Sequence, residues 1–358
     1  MSGRMGAAVG TVWRHRLFWP VLILVVLLLS NLIFTPSFFS VEMRNGHLYG
    51  SLIDIARFGA PLVLVALGMT LVIATGGIDL SVGAVVAISG ALACLWISKQ
   101  PDQNAVVGVL VAVGLALLLS LVLGVWNGFL VAAVGIQPII ATLILMVAGR
   151  GLAQLITDGQ IITINSSPYK LIGGGYLFGL PFSILLALVM TLLAVLFTRR
   201  TALGMLIEAV GSNAEASRLS GIRSRRYTLL VYVFCALCAG IAGLMVSSNV
   251  SSADGNKAGL LIELDAILAV VIGGTLLTGG RFSLGGTVVG ALIIQALSTT
   301  IYTIGVPPQT TLVFKAIVVT VVCLIQSPAF RAKFSRRGRP GRADPPARSV
   351  QQKVEVPA

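Results

Sequence analysis

Thr75-Gly-Gly-Ile-Asp-Leu-Ser-Val-Gly83 interrupts what would otherwise be one long apolar run between residues 55 and 98. It sets an acid, a hydroxyl and three glycines between two membrane-length segments. Asp79 in hydrocarbon costs roughly 2.5 to 3.5 kcal/mol on insertion scales, and Gly76, Gly77 and Gly83 weaken a continuous helix. Such a segment suits a protein-lined or water-filled cavity rather than lipid.

The flanking sequence sets the class. Of 358 residues, 56% are hydrophobic and only 10% charged, and the mean hydropathy is +0.98. That is the composition of an all-α polytopic membrane protein. Apolar stretches able to cross a hydrocarbon core of roughly 30 Å recur near residues 18 to 35, 55 to 75, 79 to 98, 105 to 126, 138 to 157, 181 to 198, 227 to 247, 263 to 279, 284 to 304 and 311 to 327. This predicts about ten transmembrane helices, with the boundaries least defined around 127 to 137 and 148 to 160. The first follows Arg4, Arg14 and Arg16 in the manner of a signal peptide, but it ends in Thr35-Pro-Ser-Phe-Phe39. Lacking a small-residue cleavage site, it reads as a retained helix.

The net charge of +13 is concentrated in three places. Residues 1 to 19 carry three net positive charges. Residues 199 to 226 carry four, from Arg199, Arg200, Arg218, Arg223, Arg225 and Arg226 against Glu208 and Glu215. Residues 331 to 358 carry six, and the remaining charges balance. Positive flanks stay cytoplasmic, so all three belong on one side. Six spans between the first two and four between the last two satisfy that parity, with both termini cytoplasmic. The expected layout is a cytoplasmic segment at 1–17, a transmembrane domain at 18–330 and a disordered basic tail at 331–358, the last suited to anionic lipid. Topology alone accounts for these charges, and no nucleic-acid partner is inferred.

Soluble and enzymatic chemistry find little support. Cys235-Ala-Leu-Cys238 lies in an apolar helix with no histidine or carboxylate beside it, so it reads as helix packing rather than a redox or metal pair. Gly124 and Gly128, like Gly286 and Gly290, have the four-residue spacing that lets membrane helices approach closely. The only histidines, His15 and His47, fall in flanking segments. No metal, cofactor or catalytic motif is present, which points away from an enzyme. Nor does any lysine sit in a phosphate-cradling G-x-x-x-x-G-K-[ST] loop.

Transport then requires an energy source outside the chain. An ion-coupled carrier acting alone could use Asp79 beside Gly76 and Gly77 as a discontinuous-helix site. An ATP-driven importer would instead need a cytoplasmic surface to receive a partner's stroke. The segment at 199–226 offers one, since Leu206 to Gly221 alternates helix formers with small residues and ends on glycine. From composition alone it is equally an amphipathic connector.

The string Thr201-Ala-Leu-Gly-Met-Leu-Ile-Glu-Ala-Val-Gly-Ser-Asn-Ala-Glu-Ala-Ser-Arg-Leu-Ser-Gly-Ile222 resembles the cytoplasmic coupling loop of the ribose-type sugar permeases of ABC importers. The Thr75 to Gly83 run resembles the family's membrane motif, and Ala269-Val-Val-Ile-Gly-Gly-Thr-Leu-Leu-Thr-Gly-Gly-Arg-Phe-Ser283 its late glycine-rich segment. The likeness covers about residues 50 to 327. Within the family it is closest to the galactofuranose subgroup, through Gly68-Met-Thr-Leu-Val-Ile-Ala-Thr75, Ile136-Gln-Pro138, Ala141-Thr-Leu-Ile-Leu-Met-Val-Ala-Gly-Arg-Gly151, Ala153-Gln-Leu-Ile156 and Glu263-Leu-Asp-Ala-Ile-Leu-Ala-Val-Val-Ile-Gly-Gly274. The resemblance implies a bacterial inner-membrane permease with a second copy or paralogue, ABC ATPase subunits below and a periplasmic sugar-binding protein above. It places Glu208, Ala209, Gly211, Asn213 and Gly221 on the element that enters the ATPase, which itself hydrolyses the ATP.

A sugar leaving water needs hydrogen-bond partners, and a conduit must hold it weakly. Asp79, Ser81, Asn127, Thr142, Gln154 and Gln295 are the candidates for the path, with helix-to-helix hydrogen bonding as the other reading of each. Arg150 either pairs with an acid or snorkels. Glu263 and Asp265 either border the binding-protein dock or cap a helix. Thr75-Gly-Gly and Thr278-Gly-Gly are each followed at the same offset by Gly-x-Val-Val, so Gly76, Gly77 and Gly83 with Gly279 and Gly280 are read as related parts of one gate.

Overall fold

The computed structural model describes residues 17 to 305, except 35, 37 and 45, and scattered positions from 313 to 324. The segment before residue 17, the tail from 331 to 358 and most of the span expected at 311 to 327 lie outside the described residues. The helices are α1 (Phe18–Phe34), α2 (Ser51–Ala74), α3 (Val82–Ser98), α4 (Val106–Phe129, continued by a π-turn at Leu130–Val134), α5 (Pro138–Ile156), α6 (Ser167–Gly174), α7 (Phe182–Arg200), α8 (Leu203–Ser212), α9 (Ala214–Leu219), α10 (Ser224–Val250), α11 (Ile262–Ile272) and α12 (Leu284–Thr303). Among the described residues α2, α4, α5, α7, α10 and α12 are long and apolar enough to span a membrane, while α1 and α3 are shorter apolar helices.

Two predicted spans are cut short by local chemistry. The run from 79 begins as helix only at Val82, because Gly76 takes φ +81° and the chain leaves the helix at Thr75. The run at 263 to 279 is helical only to Ile272, where Gly273 and Gly274 end it, Gly274 at φ +85°. Hydropathy stays high through both breaks, so a window average passes over them. Short antiparallel ribbons close the connections: β1 (Glu42–Arg44) with β2 (His47–Tyr49), β3 (Ile161–Thr163) with β6 (Ser252–Asp254), and β4 (Tyr176–Leu177) with β5 (Leu180–Pro181).

The core is the helix set α2, α3, α10, α11 and α12, centred on α10, which packs against α2, α3 and α4. The most apolar span, α4, is among the least buried, as are α5 and α7, whereas α2, α10 and α12 are mostly enclosed. That inversion marks lipid or a partner helix as the solvent outside. Close approach inside comes from missing side chains. A Cβ on Gly68 would sit 2.7 Å from the Cα of Cys235, and one on Gly243 would overlap the carbonyl of Val86. Gly124 faces Ala236 and Val233, Gly286 faces Gly273, and Gly290 faces Ala269. The cysteine pair and both glycine pairs are therefore packing elements, and Cys94, Cys235 and Cys238 are buried free thiols. Buried hydroxyls tie the helices across these seams: Thr70 to Thr287 at 2.7 Å, Ser89 to the carbonyl of Gly240 at 2.7 Å, and Tyr169 to Ser247 at 2.7 Å.

Gly243→Val should force α3 and α10 apart and lower the melting temperature of the detergent-solubilised protein, by overpacking worth about 1 to 3 kcal/mol or more. Gly114→Ala, where an added Cβ meets open space, should leave melting unchanged or raise it, by up to about 1 kcal/mol of helix propensity.

Candidate functional site: a glycine junction beneath the broken helices

Helix α7 ends on Arg199 and Arg200, whose charges complement the carbonyl end of the helix dipole. The Thr201 hydroxyl accepts the Leu203 amide at 3.2 Å, turning the chain into α8. Gly204, Ile207 and Val210 form the buried face of α8, while Met205 is 69% exposed. Asn213 then caps α9, its side-chain oxygen accepting the Ala216 amide at 2.9 Å. Gly221 ends α9 at φ +84°, a conformation that glycine adopts without strain. Between them Glu215 and Arg218 pair at 2.6 Å on the exposed side. The hydrogen bond and charge of Arg218 hold the Glu215 carboxyl below its ordinary range. Between α7 and α10 the chain thus forms two short helices.

What α8 is pressed against decides its importance. Gly211, at its last turn, lies on the carbonyl of Ala74, the final residue of α2, and a Cβ there would overlap that oxygen. The same Cβ would sit 2.7 Å from the amide of Gly280. Gly280 itself donates to the Ala74 carbonyl at 2.9 Å. A Cβ on Gly279 would lie 2.9 Å from the Gly211 carbonyl and 3.0 Å from the Gly76 amide. Gly76, Gly279 and Gly280 all have φ between +81° and +87°. Three separate stretches, 75 to 83, 203 to 213 and 269 to 283, therefore meet backbone to backbone. The two Thr-Gly-Gly echoes are neighbours in space, and each leads into a helix, α3 after Ser81 and α12 after Ser283. Arg199 adds its guanidinium over the Phe282 ring, 5.8 Å from the centroid.

Above the junction the chain climbs back into the bundle through Gly77 to Leu80. A Cβ on Gly77 would lie 2.6 Å from the Tyr232 hydroxyl of α10. Asp79, 1% exposed, accepts the Ser81 amide at 2.9 Å and the Ser81 hydroxyl at 2.6 Å, a side-chain turn that starts α3. Asn127 of α4 donates to that hydroxyl at 2.8 Å. Thr142 of α5 lies 3.2 Å from the carbonyl of Ile78. Four of the six polar path candidates are thus one enclosed network around the bend. Gln154 and Gln295 stand apart: Gln154 is exposed on α5 and bonded to Asn256 at 2.8 Å, and Gln295 packs beside Gly59 and Thr299. Gly83 is also separate from the other gate glycines, facing Gly259 and Glu263. Ala74 was not singled out in the sequence because its role is carried by a backbone carbonyl, which leaves no mark on residue choice.

A family model described as "Branched-chain amino acid transport system / permease component" matches residues 51–323. The chain is a member of this permease family. The permease is 50% identical over 326 residues to the galactofuranose transporter permease protein of Escherichia coli (strain K12), covering 89% of this chain and 94% of that one. It is 42% identical over 318 residues to the fructose import permease protein of Bifidobacterium longum, with 87% and 88% covered. It is 35% identical over 310 residues to the ribose import permease protein of E. coli (strain K12), with 86% and 91% covered. No solved structure matches it significantly. The resemblance read in the 75–83, 201–222 and 269–283 motifs thus holds over most of the chain, and those same motifs build the junction.

Asp79→Ala should destabilise the permease by about 1 to 3 kcal/mol, because the buried Ser81 amide and hydroxyl lose their acceptor. Asp79→Asn keeps an acceptor oxygen and should lose much less. Thermal melting in detergent separates the two; equal losses would show that the Ser81 turn does not depend on the acceptor.

Proposed function

We propose that this permease is the membrane subunit of an ATP-driven sugar importer in the bacterial inner membrane, carrying galactofuranose or a related monosaccharide by alternating access. The observation that carries the reading is the 50% identity, nearly end to end, to the galactofuranose transporter permease. In this reading the chain crosses the membrane ten times with both termini cytoplasmic, works with a second permease copy, and receives sugar from a periplasmic binding protein. ATP is hydrolysed on separate ATPase subunits. The segment 199–226 docks on them through Glu208, Ala209, Gly211, Asn213 and Gly221.

The junction supports this division of labour. Leu219 is 79% exposed and Met205 69% on an otherwise charged and polar segment, an arrangement suited to a protein partner. Gly211 sits on that segment and directly under the ends of α2 and the 273 to 283 turn. A push on α8 would reach both breaks at once through rigid backbone contacts, which is how small displacements become discrete rearrangements. Only a difference in ATPase contacts between the two states is then required of the chain. The enclosed Asp79, Ser81, Asn127 and Thr142 network acts on the path by fixing the bend, while Gln154 faces outward toward it.

Proteoliposomes holding the permease, its ATPase and its binding protein should accumulate sugar only with ATP. Uptake driven by an ion gradient without ATP would overturn the reading in favour of an ion-coupled carrier. Glu208 is half-buried on α8 and makes no ion pair among the described residues. Glu208→Arg should therefore leave insertion and melting intact but abolish ATP-driven uptake. Retained uptake would remove this helix face from the docking surface.

A further inference from the structure

Two helices begin inside the protein and point their first turns at one another. Helix α3 starts at Val82 after the bend, and α11 starts at Ile262 after a run of turns from β6. Gly83 is where they touch: a Cβ on it would lie 2.6 Å from the Gly259 carbonyl and 3.3 Å from Arg150 Nη2, and would overlap Glu263 Oε2. Val86, the next turn of α3, packs on Gly243 of α10. At 1.5 Å per residue the contact therefore lies roughly 10 to 15 Å inside the C-terminal end of α10.

Glu263 is only 6% exposed, and its Oε2 has no hydrogen-bond partner. Arg150, from α5, donates to the Ala258 carbonyl at 2.5 Å, its only hydrogen bond among the described residues. It makes no ion pair within 4.0 Å there either, although Glu263 is close by. Its place in the first turn of α11 suits the positive end of the helix dipole but leaves Oε2 unpaired beside Arg150. No side chain caps α11, whose preceding residue Leu261 is in the left-handed region, and Glu263 lies inside the fold rather than at its rim. One turn along α5 from Arg150, Gln154 is exposed and bonded to exposed Asn256, with exposed Lys257 beside it. Gln154, two residues before the end of α5, and the turn residues Asn256 and Lys257 thus form an exposed polar surface that leads from the end of the helix towards Arg150.

We propose that Arg150 and Glu263 form a sugar-contact point inside the membrane, where the first turns of α3 and α11 meet, reached along the Gln154 and Asn256 stripe. This rests on the sugar-importer reading above. The free carboxylate oxygen accepts hydroxyl hydrogens, and the guanidinium, with most of its donors unused, donates to hydroxyl oxygens. Together the two carry no net charge, which suits an uncharged polyol and gives an ion little hold. Broken helices whose ends face a central site are the recurrent way transporters build a binding point in the membrane interior. Gly83 is required because a Cβ there would overlap Glu263 Oε2 and crowd the Gly259 carbonyl.

The test uses the full-length permease with its ATPase and binding protein in proteoliposomes, with radiolabelled D-galactose and those of its monodeoxy analogues that the binding protein captures. Glu263→Gln should lower uptake of the parent sugar about tenfold, as for loss of a hydrogen bond to a charged group. Uptake of the analogue lacking the contacted hydroxyl should fall far less, so the parent-to-analogue ratio shifts by about fivefold or more. ATPase stimulation by the loaded binding protein should stay within about twofold, since docking is untouched. Equal losses for every sugar, or no loss, would overturn the proposal and leave Glu263 a structural residue. Should Glu263→Gln not reach the membrane, Glu263→Asp carries the same comparison. Wild-type vesicles that take up no sugar with ATP would instead overturn the importer reading on which this rests.

Discussion

The contact of Gly211 with the Ala74 carbonyl and the Gly280 amide is the constraint on which the rest of the structure depends. A backbone contact of this kind tolerates no side chain and has almost no slack, because packed interiors have few voids and shift between discrete arrangements. It fixes α8 to the end of α2 and to the turn before α12 in one place. Everything above then follows in sequence: the bend at Gly76, the climb through Gly77, the Asp79 turn and the start of α3.

The two breaks are best understood as a pair. One interrupts the chain beneath α3, and the other, at 273 to 283, lies beneath α12, with Gly76 against Gly279 between them. Helix α11 returns from the interior to the second break, so the meeting point of α3 and α11 near Gly83 and the junction near Gly211 are the two ends of one short mechanical unit. Its walls are α2, α3, α10 and α12, the most enclosed of the described long helices. The outer helices α4, α5 and α7 leave apolar faces uncovered. Held backbone to backbone, α8 and the two breaks can move only together.

Much of this was legible in the residues. Hydropathy locates α2, α4, α5, α7, α10 and α12, because a helix long enough to cross a bilayer is apolar over its length whether it faces lipid or neighbouring helices. Charge runs separate the loops, and the Thr75 to Gly83 interruption is visible as a cluster of glycines around a costly acid. Composition could not show that α11 stops at Ile272, since Gly273 and Gly274 sit in a run that remains apolar on either side. Nor could it show that Asp79, Ser81, Asn127 and Thr142 share one network while Gln154 and Gln295 do not, because that depends on which helices are neighbours. The importance of Gly211 is illegible for a further reason: its partner is the main-chain oxygen of Ala74. The resemblance to known permeases marked the segment without revealing what it touches.

The central claim is that α8 and the glycine junction move together when ATP closes the partner ATPases. Spin labels at Met205 and Leu276, both exposed, report on the two sides of the junction, and a third at exposed Val250 marks the far end of α10. Pulsed electron resonance distances in the assembled transporter, without nucleotide and trapped with ATP, measure the coupling directly. The account predicts that the separation between residues 205 and 276 stays constant while that between 205 and 250 changes. A change between 205 and 276 as large as that between 205 and 250 would contradict it.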